Sequence, residues 1–408
     1  MRRLIYIFII GLLLCSYTWA DGSRYASKSL LSEGKWVKIR VDKTGIYKLS
    51  YADLKNMGFS DPSKVSVHGY GGWPLDEDFS KEYIDDVPST PVWRGSDYLL
   101  FYGKGPVKWE YDSSSQTFVH TNNPYSLYGY YFVTDATPTN DMTSVAQASG
   151  ASTRITTYDD YLLHEQELVS VNQSGREFFG EDFSGARPRT ISTFSSIPGI
   201  TDADGKVTMR FISRINSGSG TASLSINDSE LLDITIPSVQ TVSSNVRSYT
   251  KAIPGTTTAL WKGSKSEKNN VVVSYSSSGH TNVRLDYIRM QFVRTLRPYG
   301  ACTFFRSLTS VGNSSRFVIS EANSNTLVFD VTDALNVKRV EADLNGSELS
   351  FTIPAGRLRE FVLVQTNQTF PSPEVVGEVA SSNLHGLEQR DMIIISAPSL
   401  VQQAERLA

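Results

Sequence analysis

Cysteine is almost absent from this 408-residue sequence, which has only Cys15 and Cys302. Two cysteines cannot build a disulfide framework, so stability must come from apolar cores. No run of lysines and arginines occurs and the net charge is −3, which argues against nucleic acid as a partner. After the first 20 residues no apolar run approaches the roughly 18 residues of a membrane-spanning helix. Aromatics, by contrast, reach 11%, with 20 tyrosines, and serine, threonine and glycine are abundant. That bias favours strands and turns over long helices. With 40% apolar and 20% charged residues the chain has material for ordinary cores and is not of the disordered class. Its length suggests two or three domains of about 100–200 residues each.

The amino terminus reads as a signal peptide over 1–20. Arg2 and Arg3 precede an apolar run over 4–14, and Thr18 and Ala20 offer small residues before a cut. The run is too short for an anchor. Cys15 invites a lipoprotein reading, but bulky Leu14 stands where a small residue is needed, so cleavage after Ala20 is expected. Loss of two arginines takes the charge from −3 to −5 and leaves Cys302 as the only thiol.

Residues 21–135 read as an amino-terminal β-rich domain. Alternation over 36–41, a turn at Thr44-Gly45 and strands over 46–49, 65–70, 97–102 and 128–133 carry that reading. One short helix is expected over 50–57, stopped by Gly58. Residues 136–189 read as a linker and loop region. Residues 190–370 form a second β domain, with strands over 206–213, 221–226, 232–236, 270–275, 283–293, 326–331 and 348–353. Strand spacing near ten residues is the pattern of an antiparallel sandwich or jelly roll. The expected fold class is therefore mainly β: two β-rich domains, followed over 371–408 by the truncated start of an α/β domain. Pro371-Ser372-Pro373 is a break, 391–396 is apolar like a buried parallel strand, and Pro398-Ser399 starts a helix. Ending inside that helix, the sequence reads as a fragment, and residues beyond about Pro371 are expected to be poorly ordered.

Candidate chemistry is thin. Cys302 with His280 has the order of a cysteine-peptidase pair, in which an imidazole holds the thiol as thiolate. However, 270–293 reads as two antiparallel strands with 276–282 as their connection, and no helix separates His280 from Cys302. A structural Cys302 is the better reading. His68 reads as a packed strand histidine, and His164-Glu165 with Glu167 lacks the second histidine of a zinc helix. Asp76-Glu77-Asp78 with Asp85-Asp86 offers oxygen ligands for calcium without EF-hand spacing, so it reads as a solvated loop. Gly69, Gly71 and Gly72 suggest a bulged turn rather than a dinucleotide fingerprint. Trp73, Trp93 and Trp109 offer a carbohydrate- or peptide-binding face, or simply core. No catalytic, cofactor-binding or metal-binding residue is assigned.

An ordered set of motifs resembles the gingipain-like (C25) cysteine peptidases, in their type IX secretion sortase branch, the PorU proteins of Bacteroidetes. The set runs Gly34-Lys35-Trp36-Val37-Lys38-Ile39, Thr44-Gly45-Ile46-Tyr47-Lys48-Leu49, Val67-His68-Gly69-Tyr70-Gly71-Gly72, Phe101-Tyr102 and Gly105-Pro106. Asn122-Asn123-Pro124-Tyr125, Tyr128-Gly129-Tyr130-Tyr131-Phe132, Leu285-Asp286-Tyr287-Ile288, Phe329-Asp330-Val331-Thr332-Asp333 and Asn383-Leu384-His385-Gly386 follow in order. The resemblance implies β-rich amino-terminal domains leading into a caspase-like peptidase domain, with catalytic His and Cys beyond Ala408. It also implies partners: exported cargo with carboxy-terminal sorting domains and an outer-membrane attachment protein, at the cell surface. Two functions follow. One is the non-catalytic amino-terminal portion of such a surface peptidase–transpeptidase; the other is a non-enzymatic β-sandwich accessory or adhesin module of the same export system.

Overall fold

Strands that alternate buried and half-exposed residues, such as Val37–Val41, sit beside strands buried at nearly every position, such as Tyr98–Gly103 and Phe361–Gln365. The difference is topological, and it explains how this mainly β chain assembles. A computed structural model describes residues 25–408 except 79, 82–83, 172–174, 216, 240–251, 278 and 280. The expected signal peptide and His280 lie outside the described residues.

The first unit pairs a five-stranded sheet (Glu374–Glu378, Val37–Val41, Gly129–Thr134, Ser66–Gly71, Ser89–Thr90) with a three-stranded one (Gly45–Ser50, Tyr98–Gly103, Val92–Arg94). Ile39, Leu49, Leu99, Phe101 and Val133 fill the space between them. The expected short helix spans Tyr51–Asn56, fixed by a capping box in which Ser50 and Asp53 satisfy each other's backbone N–H groups.

The second unit is a four-on-four sandwich. Thr157–Glu165, Thr281–Thr295, Gly205–Ile215 and Ile253–Trp261 face Arg189–Thr190, Val271–Ser277, Ser219–Ile226 and Ser229–Pro237 across a core rich in Val, Ile, Leu and Phe. Val271–Ser277 and Thr281–Thr295, expected to pair as neighbours, lie instead in opposite sheets.

The third unit packs Ser144–Val145, Lys338–Val340, Thr326–Asp330, Phe361–Gln365 and Cys302–Phe305 against Thr153–Ile155, Ser315–Ile319, Glu348–Ile353 and Asp343–Asn345. Phe305, Phe317, Phe351 and Phe361 form its centre, with ring centroids 5.2–6.3 Å apart. The stretch 190–370, expected as one sandwich, thus contributes to two sheet pairs. The stretch 136–189, expected as linker and loop, supplies strands to both. Its short polar strands take their place by pairing with apolar neighbours, a signal outside their own composition.

Units one and three press their outer faces together. Leu99 and Phe101 point into the first core, while Leu100 and Tyr102 meet Phe329, Val362 and Val364 from the third unit. Phe361–Gln365 divides its alternate side chains the same way between the third core and this interface. A strand sandwiched between two cores loses its polar face, so its sequence mimics that of a parallel strand.

Residues 371–408 depart from expectation. Glu374–Glu378 joins the first unit by pairing antiparallel with Val37–Val41, and Arg40 bonds Glu374 at 2.6 Å. Residues 391–396, expected as a buried strand, form none, and Ile395 is 94% exposed. The helix expected after Pro398 is present as Val401–Leu407.

Candidate functional site

The hairpin Val107–Asp112/Thr117–Asn122 leaves the first unit and lies against the second. Its turn is set by Asp112, which accepts the Ser114 and Ser115 hydroxyls; these bonds hold its carboxyl well below the usual range. Lys206 from the second unit donates to Ser115 O and Gln116 O at 3.2 and 2.8 Å. Gln291 extends the sheet with a side chain, accepting from Phe118 N–H at 3.0 Å and donating to Phe118 O at 3.2 Å. Trp109 stacks on Tyr161 with centroids 4.0 Å apart.

A cleft of about 1790 Å³ opens where this hairpin, the loop carrying Trp73 to Asp78, and the second unit meet. Two rungs cross its floor. His120 Nε2 reaches Glu165 Oε2 at 3.2 Å, and Asn122 Nδ2 donates to Glu167 Oε1 at 2.9 Å. The His120 ring stands edge-on to Tyr287, 4.7 Å away. Asp286 occupies a bulge: Arg210 pairs with Tyr287 and Phe211 with Leu285, so Asp286 is the extra residue. Bulges re-aim side chains, and this one brings the Asp286 carboxylate into the cleft wall, where Arg210 bonds both it and Glu177.

Carboxylates outnumber the cations of this floor. Burial, then repulsion from Glu165, pushes Asp286 up to about 6 against the pull of Arg210. Glu167, exposed to the cleft, is pushed up to about 7 by burial of its carboxyl and by Glu165. At the other end Lys104 lies under the Trp73 ring, its ammonium 4.8 Å from the centroid, and burial lowers its pKa to about 8. Gly71 permits this approach. It has φ +80°, and a Cβ there would fall 2.7 Å from Lys104 O.

The residues singled out in the sequence are scattered. Cys302, on Cys302–Phe305, packs between units one and three, and burial pushes its thiol up to about 12. The four described histidines are engaged elsewhere. His68 contacts Val87 O at 3.1 Å and Thr137 Oγ1 at 2.8 Å, and burial lowers its pKa. His164 contacts Glu181 at 2.7 Å, His120 contacts Glu165, and His385 lies 3.5 Å from Asp85. The acidic cluster is divided among Lys81, Arg176 and the turn at Ser29–Leu30. Gly69 lies within a register shift between His68 and Gly71, as expected of a bulged turn. The three tryptophans do not share a face: Trp109 stacks on Tyr161, Trp93 packs at the unit interface, and Trp73 lines the cleft. Among the described residues no group of three or more His, Cys, Asp or Glu forms a metal-holding cluster. His120, Lys104 and Arg210 carried no motif, and Asp286 appeared only within a motif of the resemblance. The only signal in the sequence was charge on otherwise apolar strands.

No protein-family model and no curated protein matches the sequence. Among solved structures the chain is similar to dimeric latent PorU from Porphyromonas gingivalis: 34% identity, TM-score 0.83, 94% of this chain and 36% of that one. A carbohydrate-binding module of Cellvibrio mixtus lichenase 5A (12% identity, TM-score 0.16, 35% of this chain, 92% of that one) carries no argument. Nor does the Bacillus thuringiensis delta-endotoxin Cry8Ea1 (10%, 0.22, 55% and 41%). The chain is PorU-like, and it spans about a third of the length of the PorU it matches.

Proposed function

We propose that this chain is the non-catalytic amino-terminal portion of an exported cell-surface cysteine peptidase–transpeptidase, one that removes carboxy-terminal sorting domains from type IX cargo. The observation that carries the reading is the superposition on PorU over 94% of the chain. Cys302 supports it from within the chain. A thiol raised to about 12 is not a thiolate at neutral pH, and no described histidine bonds it. The peptidase pair is then supplied outside these 408 residues. Among the described residues no helix is long and apolar enough to cross a membrane.

The test is deletion of the gene in its host, with mass spectrometry of exported cargo. Cargo retaining its sorting domains supports the proposal; cargo processed as before refutes it and favours an accessory module. The purified chain should also leave a thiol-directed peptidase probe unreacted. Labelling of Cys302 would restore it as a nucleophile.

A further inference from the structure

The floor of the cleft holds more hydrogen-bond acceptors than its own donors satisfy. His120 and Asn122 lie two residues apart on Thr117–Asn122, and each spends one nitrogen on a carboxylate of the second unit. A neutral imidazole that donates Nε2–H to Glu165 keeps Nδ1 as a lone-pair acceptor. Among the described residues that Nδ1 is buried without a partner, in a side chain only 5% exposed. Asn122 Oδ1 is likewise buried with no donor among the described residues. Native proteins leave few such atoms unsatisfied.

Charge points the same way. Asp286 and Glu177 share Arg210, whereas Glu165 meets the neutral His120 ring, and Glu167 meets the neutral Asn122 amide and the Phe178 backbone N–H. What the site lacks is a cationic donor. The walls add a size and a shape. Trp73, Leu127, Leu163 and Phe178 line a cleft larger than the roughly 300–1,000 Å³ of small-molecule sites. Such walls suit an aliphatic stem attached to a longer chain.

We propose that this cleft binds a polypeptide segment through a lysine or arginine side chain, its cationic head held by Glu167, Asn122 Oδ1 and His120 Nδ1. The assignment rests on the cleft alone and stands apart from the sortase reading.

Calorimetric titration of the purified chain tests it, using the acetylated, amidated peptide Ala-Ala-Lys-Ala-Ala, its arginine and norleucine counterparts, and ethylamine. The basic peptides should bind at least tenfold more tightly than the norleucine peptide, and ethylamine should not displace them. Glu167→Gln and Asn122→Ala should each weaken binding at least tenfold with an unchanged melting temperature. Equal affinity for lysine and norleucine, or wild-type binding by both variants, overturns the proposal. Ethylamine binding as tightly as the lysine peptide overturns the polypeptide source, and displacement by millimolar calcium reassigns the carboxylates to a metal.

Discussion

At the scale of single residues, two buried charged groups set the conditions under which the second unit, and its contact with the third, hold together. Asp286, with a folded pKa of about 6 against a reference of 3.8, binds its proton better in the folded than in the unfolded chain. Its contribution to stability is therefore complete below 3.8 and is lost as pH rises through about 6. The melting temperature should fall between pH 4 and 7, and Asp286→Asn should flatten that fall; an unaltered slope would place the dependence elsewhere. Arg306 is the other charge. It is 1% exposed, donates to Glu360 Oε2 at 2.5 Å and to Asp159 O at 2.9 Å, and lies over the Tyr161 ring at 4.3 Å. Removing one partner of a buried pair leaves the other charge stranded, so Arg306→Ala should cost about 3–5 kcal/mol. Urea unfolding reads this directly, and a loss below about 1 kcal/mol would mean that water takes the place of the guanidinium.

At the scale of elements, the carboxy-terminal strap makes the sharpest test. Ending the chain at Phe370 removes Glu374–Glu378 from the edge of the first sheet, together with the bonds from Lys48 N–H to Pro371 O and from Val379 N–H to Trp36 O. Calorimetry should show a lower melting temperature for this truncation and an unchanged one for a chain ending at residue 390. Equal melting of the two would mean that the strap adds nothing to the sheet. The same elements explain what could be read in advance. Helix formers over 50–57 and the stop at Gly58 announced the helix, because both are local signals, whereas the Ser50–Asp53 capping box came to light only in the structure. Period-two alternation announced Val37–Val41, which has one face turned from its core. Tyr98–Gly103 and residues 391–396 look alike in sequence, yet one lies between two cores and the other in solvent. An apolar run states that it wants partners, not which ones. The Asp286 bulge was illegible for a related reason: register is a property of two strands. His120–Glu165 joins separate units, so no local spacing could have revealed it.

For the whole molecule, the interface built from Leu100, Tyr102, Phe329, Val362 and Val364 makes units one and three thermodynamic partners. They should melt in one transition, and Val362→Asp at their contact should lower it for both; separate transitions in the unaltered protein would show the interface to be incidental. The strap carries a further consequence, in the order of events. Val37 lies opposite Glu378, so a strand that emerges near the start of synthesis waits for one made more than 300 residues later. Loop closure over such a distance is slow relative to local pairing. Until then the Val37–Val41 edge stays open to any extended chain, including a second copy of itself. As it folds, the chain therefore depends on its own later portion to close the sheet with which it began.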